Sequence, residues 1–223
     1  FDRSTRHIMI DKYRAAFLFS DTNDWITPYI CNSSFSDVWP GTIDFFDNED
    51  QISLYDIVFI LGYTKILSPS FLEQNKLNLV VHESALPFGK GFSPIQWQLL
   101  NGADNILVSL LEASDKVDSG DIILQDKLIF DGSELYEEIR DKQAACTISL
   151  IKAFFSQYPN FNRQKQTGDE STFRRRRPED NLLCLDKSIR EQFNLMRIGN
   201  NEMWPSYFNH LGHKYILKIY KED

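Results

Sequence analysis

Four apolar runs constrain this chain more than anything else in it: RAAFLFS (14–20), DIVFILG (56–62), LNLVVH (77–82) and NILVSLLEA (105–113). None alternates polar with apolar residues, as a strand with one wet face would. Each therefore reads as a strand covered on both faces. Helical segments lie between them. SPSFLEQNK (68–76) and SPIQWQLLNG (93–102) both open on Ser-Pro, and the second stops at Gly102. TNDWITPYI opens a short helix capped by Thr22, Asn23 or Asp24. The longest candidate, 133–158, carries Leu135, Ile139, Ala145, Ile148, Ile151 and Phe155 near helical spacing. Strands alternating with helices predict an α/β fold: a mostly parallel twisted sheet with flanking helices, Rossmann-like.

At 223 residues the chain is read as one domain with an appendage. Residues 1–8 read as a cloning remnant, with Met9 as the native start, and 9–159 form the α/β domain. Residues 160–181, NFNRQKQTGDESTFRRRRPEDN, are polar and nearly free of aliphatic side chains, so they read as a linker or a segment crossing the surface. Residues 182–223 form a C-terminal extension packed on the main domain, with a helix over 186–198 and a small hairpin over 204–220. The short basic run Arg174–Arg177 reads either as a solvated face or as a phosphate contact.

The totals narrow the function classes. With 42% hydrophobic and 25% charged residues the chain is an ordinary soluble globular protein whose core needs no metal or disulfide staple. Cys31, Cys146 and Cys184 lie far apart, which argues against a zinc site and fits a reducing compartment, the cytoplasm. A net charge of −8 disfavours nucleic acid as a partner. No run approaches the roughly 20 apolar residues that span a bilayer, and FDRSTRHIM lacks the apolar core of a signal peptide.

In open α/β sheets, ligands bind at the carboxyl ends of the strands. His82 ends the third run, just before a loop rich in glycine and proline. Asp118 lies in the DKVDSGD loop after the fourth run, and GYTKIL after the second run opens onto the same rim. Taken singly, His82 is a packed structural histidine and Asp118 a turn residue.

Taken together, HESALPFGKGFSPIQWQLLNG followed by KVDSGDII resembles the formyltransferases that use 10-formyltetrahydrofolate. The pattern is His82, Ser84, Leu86 and Pro87, then the Pro94-Ile95-Gln96-Trp97 helix, then Asp118-Ser119-Gly120-Asp121. GYTKILSPSF resembles the folate-cradling segment, and the stretch from RRRPEDN to HLGHKYIL resembles the tail of sugar and tRNA formyltransferases. The likeness runs from about residue 14 to about 220 and is similar to the N-terminal domain of methionyl-tRNA formyltransferases, most of all to sugar N-formyltransferases.

The resemblance implies His82 as general acid and base, with Asp118 fixing its tautomer. It implies 10-formyltetrahydrofolate as co-substrate and no metal. Thr64, Lys65, Leu67, Glu112 and Val117 would border the folate, and Trp25, Lys90 and Trp97 the acceptor. The SDTNDW loop holds no glycine, which disfavours a glycinamide ribonucleotide acceptor, and the acidic chain disfavours tRNA. A nucleotide-linked amino sugar of surface-polysaccharide biosynthesis remains, with a homodimer left open. The family's asparagine two residues before the histidine is here Val80. Asn78 shares its strand face but lies roughly 6–7 Å away. Ser84, Gln96, a backbone N–H of the 83–92 loop, or the His82 imidazolium are the candidate oxyanion donors. Two alternatives stay open: a weakened, formyltransferase-like binding module, or a tRNA-directed enzyme.

Overall fold

The computed structural model describes residues 13–20 and 24–222. The leader, Met9 and the cap candidates Thr22 and Asn23 lie outside them. Its strands and α-helices begin, in chain order, with β1 (Arg14–Phe19), α1 (Thr27–Cys31), β2 (Thr42–Phe46), β3 (Ile57–Leu61), α2 (Pro69–Gln74), β4 (Asn78–His82), β5 (Lys90–Gly91) and α3 (Pro94–Leu100). There follow β6 (Asn105–Glu112), β7 (Ile122–Ile129), α4 (Tyr136–Gln157), β8 (Thr172–Phe173), α5 (Ile189–Arg197), β9 (Ser206–His210) and β10 (His213–Leu217).

Six strands form one sheet in the order β2-β1-β3-β4-β6-β7. β2, β1, β3 and β4 run parallel, whereas β6 is antiparallel to β4 and β7 antiparallel to β6. The sheet is therefore mixed, and the covered runs fall on three of its parallel strands, β1, β3 and β4, and on the antiparallel β6. Every residue of β3 is buried. On one face Phe17, Phe59 and Leu79 pack against Ile151, Phe154 and Phe155 of α4. On the other, Ala16, Leu18, Val58 and Ile60 pack against Ile52, Tyr55 and Phe71.

The caps follow local chemistry. Ser68 Oγ accepts the Phe71 N–H at 3.2 Å with Pro69 behind it, so α2 starts where Ser-Pro predicts. α4 has no Gly or Pro in its interior and ends at Tyr158, whose extended backbone precedes Pro159. α1 begins at Thr27, later than its predicted caps, and its N-cap Ile26 makes no side-chain bond. The extension is joined to the body by packing. Ile198 lies in a cluster with Ile95, Leu99 and Ile139, and Arg197, 3% exposed, faces Glu134 at 3.5 Å.

Residues 160–181 lie against the domain over part of their length. Gln164 bridges Ile122 through two backbone bonds of 2.8 Å, and β8 pairs with β5 in parallel, Lys90 beside Thr172 and Gly91 beside Phe173. A polar stretch can lie flat on a domain when its backbone groups find partners there. We call residues 163–173 the strap.

Candidate active site

His82 is the last residue of β4 and only 5% exposed. Its Nε2 lies 2.8 Å from the Gly89 carbonyl oxygen, and its Nδ1 lies 3.5 Å from Asp118 Oδ2. A carbonyl only accepts, and so does an ionised carboxylate. The doubly protonated ring alone donates to both. A neutral ring satisfies one of them and leaves its other nitrogen free to take a proton. The 3.5 Å separation suits a charge contact and is long for a hydrogen bond.

Asp118 reaches His82 by an indirect route. Because β6 is antiparallel to β4, Glu112 at the end of β6 sits opposite Leu79, near the start of β4. The loop after β6 thus leaves from the opposite end of the sheet from the loops after β3 and β4. This corrects the expectation that all three open onto one rim. The loop then travels along β4 until Asp118 stands beside His82. Asp118 takes up φ +50°, a left-handed conformation that aspartate tolerates better than most residues. Gly120 makes the return tight: a Cβ there would fall 1.8 Å from the Glu112 carbonyl oxygen. Asp118 Oδ2 also accepts the Gly91 N–H at 2.8 Å, so the carboxylate is tied to the loop that follows the histidine.

That loop spends its amides. Phe88 N–H bonds Ala85 O, Gly89 N–H bonds Ser171 Oγ, Lys90 N–H bonds Ser171 O, and Phe92 N–H bonds Phe173 O. With Gly91 N–H on Asp118, no amide from 88 to 92 is left for an oxyanion. Ser84 is fully buried and its Oγ has no partner. Val80 packs against Leu86, Leu111 and Ile122. The Glu83 carboxylate accepts from Gln143 of α4, which turns it away from the histidine.

One buried cation stands in this wall. Lys90, 7% exposed, donates to Ser119 Oγ at 2.9 Å and faces Glu170 Oε2 at 3.1 Å. Its ammonium has three donors. Ser119 follows Asp118 in sequence, so the ammonium is tied to the loop that carries the aspartate, with Glu170 as its ion-pair partner.

The remaining predicted residues are dispersed. Thr64 Oγ1 lies 3.5 Å from Ser20 Oγ, at the ends of β3 and β1. Lys65 is exposed with its ammonium over the Tyr63 ring, and Leu67 packs beside Phe71. Glu112 pairs with Arg163 at 2.6 Å, and Val117 is 54% exposed. Trp25 is half-buried under the Arg140 guanidinium. Trp97 donates its indole N–H to the Arg174 carbonyl at 2.7 Å and so anchors the segment after the strap.

A cleft of about 340 Å³ opens between α2 and the loop after β6, lined by Leu72, Lys76, Asn78, Glu112, Ala113 and Asp115 among others. Asn78 donates to Leu72 O at 2.9 Å, while its buried Oδ1 has no partner. Asn78 is thus committed to α2 and does not replace the amide missing at Val80. Cys146 is excluded as a nucleophile, since burial pushes its thiol up to about 12. Among the described residues, no group of three or more His, Cys, Asp or Glu is placed to hold a metal, and no helix is long and apolar enough to cross a membrane.

Sequence comparison supplies the family. A model described as formyl transferase matches residues 46–151, the stretch that contains both His82 and Asp118. Residues 46–151 belong to the formyl transferase family. The bifunctional polymyxin resistance protein ArnA of Wigglesworthia glossinidia brevipalpis is 30% identical over 166 residues, 73% of this chain and 25% of that protein. Methionyl-tRNA formyltransferase of Lachnospira eligens is 27% identical, over 75% of this chain and 54% of that protein. The chain thus spans about half the length, or less, of these relatives. The solved structure of a 4-N formyltransferase from Francisella tularensis superposes with a TM-score of 0.70 at 16% identity, covering 94% of this chain and 98% of that one. This last likeness is one of fold.

Proposed function

We propose that this chain moves a formyl group from 10-formyltetrahydrofolate to the amino group of a nucleotide-linked amino sugar. The carrying observation is the His82–Asp118 pair, drawn from the end of β4 and the loop after β6 into one wall of a formyl transferase domain. A cleft beside the loop after β6 offers room for part of a folate. Of the five expected folate residues Glu112 lines it, and His82 and Asp118 stand outside its lining. Its buried Asn78 Oδ1 has no partner, and a flat heterocycle bearing N–H groups would offer one. When bound, the co-substrate supplies the formyl group.

The chain's own residues then manage protons and charge. His82, neutral and turned from the Gly89 carbonyl, accepts a proton from the attacking amine. As imidazolium it returns a proton to the departing nitrogen. Asp118 favours the charged ring. The amides of 88–92 are occupied and Val80 donates nothing, which leaves the imidazolium, Lys90 and the unpartnered Ser84 hydroxyl to meet charge on the formyl oxygen. The acidity of the chain, −8 in net charge, favours the sugar over tRNA.

The test is direct. Purified protein is incubated with 10-formyltetrahydrofolate and a panel of nucleotide-linked amino sugars, and product is read by mass spectrometry. A formylated sugar is expected, and His82→Asn should slow its formation by about 10²- to 10⁴-fold. A folded protein that formylates none of the panel overturns the reading. Formylation of initiator methionyl-tRNA instead would transfer it to the tRNA-directed class.

A further inference from the structure

An acidic chain that sets four arginines in a row needs a reason for each. Two of them have structural partners. Arg174 gives its terminal nitrogens to Asp180 at 2.7 and 2.5 Å. Arg176 donates to the Asn181 side chain and the Asp180 carbonyl. Both guanidiniums lie over the same ring, that of Trp97, at 4.7 and 5.5 Å. Arg175 and Arg177 are exposed, and neither forms an ion pair among the described residues.

The chain here is extended, so alternate side chains share a side. Arg174 and Arg176 face Trp97; Arg175 lies on the other side with Phe173, and alternation puts Arg177 there too. That side belongs to the active-site loop. Phe173 is in such close contact with Gly89 that a Cβ there would lie 2.7 Å from its ring. The Arg175 guanidinium lies 4.4 Å over the ring of Phe92, which is 42% exposed. Phe92 follows Gly91, whose N–H holds Asp118. The pairing of β5 with β8 therefore delivers the Arg175 guanidinium, braced on an aromatic ring and without an ion pair among the described residues, to the edge of the catalytic wall, with Arg177 two positions further along the same side.

We propose that Arg175 and Arg177, with Phe92 beneath Arg175, form an oxyanion-binding subsite on the rim of the active site. Guanidinium forks suit planar or tetrahedral oxyanions and hold them in two-point contacts. The inference rests on the reading of the chain as a folate-dependent sugar formyltransferase. Two substrates of that reaction carry such groups: the diphosphate of the nucleotide and the terminal carboxylates of the folate.

Calorimetry on the full chain separates them. Wild type and the Arg175→Gln/Arg177→Gln variant are each titrated with uridine diphosphate, thymidine diphosphate and 5-formyltetrahydrofolate. Both side chains are exposed, so the variant should melt at the wild-type temperature. A weakening of about 10- to 100-fold, confined to one ligand class, is expected. Loss on the nucleotides assigns the subsite to the diphosphate; loss on the folate assigns it to the carboxylates. Equal binding of every ligand by both proteins overturns the subsite and leaves the proposed activity standing. A folded wild type that binds none of the three counts against the formyltransferase reading itself.

Discussion

The two irregular stretches that frame His82 are held by opposite means. The loop 83–92 is shaped from within: Gly89 and Gly91 take φ +73° and +93°, values that residues with a Cβ rarely adopt. The strap is held from outside. Gln166 donates to the carbonyls of Asp118 and Gly120, both at 2.8 Å, Ser171 takes the Gly89 N–H, and Glu170 faces Lys90. One region takes its turns from its own glycines and uses its amides to bind its neighbours. The other borrows its geometry from partners far away in the chain, so its sequence looks like a tether while its backbone walls the site.

The sharpest way to break the contrast is Gly91→Ala. A Cβ at Gly91 would stand 2.5 Å from the Phe173 carbonyl oxygen, on a left-handed backbone. Both the loop and its pairing with the strap must shift, and the amide that holds Asp118 moves with them. A loss of about 2–3 kcal/mol is expected in urea unfolding, together with a fall in formyl transfer. Wild-type stability in this variant would mean that the loop is not set by its glycines.

Gln166→Leu probes the strap by the same measurement and should do less. It removes two hydrogen bonds to loop carbonyls and also a buried Oε1 that has no partner of its own. The expected cost is about 1–2 kcal/mol, with faster hydrogen exchange at 118–120 as the local signature. If Gln166→Leu destabilises as much as Gly91→Ala, the outside contacts govern both regions and the comparison fails.

The same distinction explains what the sequence discloses. β1, β3, β4 and β6 are legible because their apolar runs admit no wet face. β2 and β7 are not: β2 is half-exposed throughout, and β7 is an outer strand whose middle, Gln125-Asp126-Lys127, faces solvent. The direction of β6 is equally hidden, since a covered strand has the same composition whichever way it runs. His82 and Asp118 are legible because a motif spacing links them. The contacts of Gln166 with Asp118 and Gly120, 48 and 46 positions away, and the salt bridge between Lys90 and Glu170 follow no periodicity and fit no turn. The Glu83–Gln143 contact, 60 positions apart, is of the same kind. Val80 is the instructive case: its side chain can be read as unable to donate, but only the fold shows that neighbouring amides are already engaged.

The smallest expected effect lies where the strap hands over to the extension. Asp180 accepts from the Arg174 guanidinium and from the Arg177 N–H at 2.7 Å. Chiefly because of the Arg174 hydrogen bonds, its carboxyl titrates at about 2, below its ordinary 3.8. A depressed carboxyl stabilises the fold fully above the ordinary value and loses that contribution as pH falls through about 2. Unfolding of wild type should thus show a small acid-dependent loss of stability between roughly pH 4 and 2. Asp180→Asn should flatten that part of the curve and leave the profile above pH 5 parallel to wild type. An identical acid limb in the variant would place the titrating group elsewhere, and the arginine segment would then owe its position to Trp97 and to backbone pairing rather than to charge.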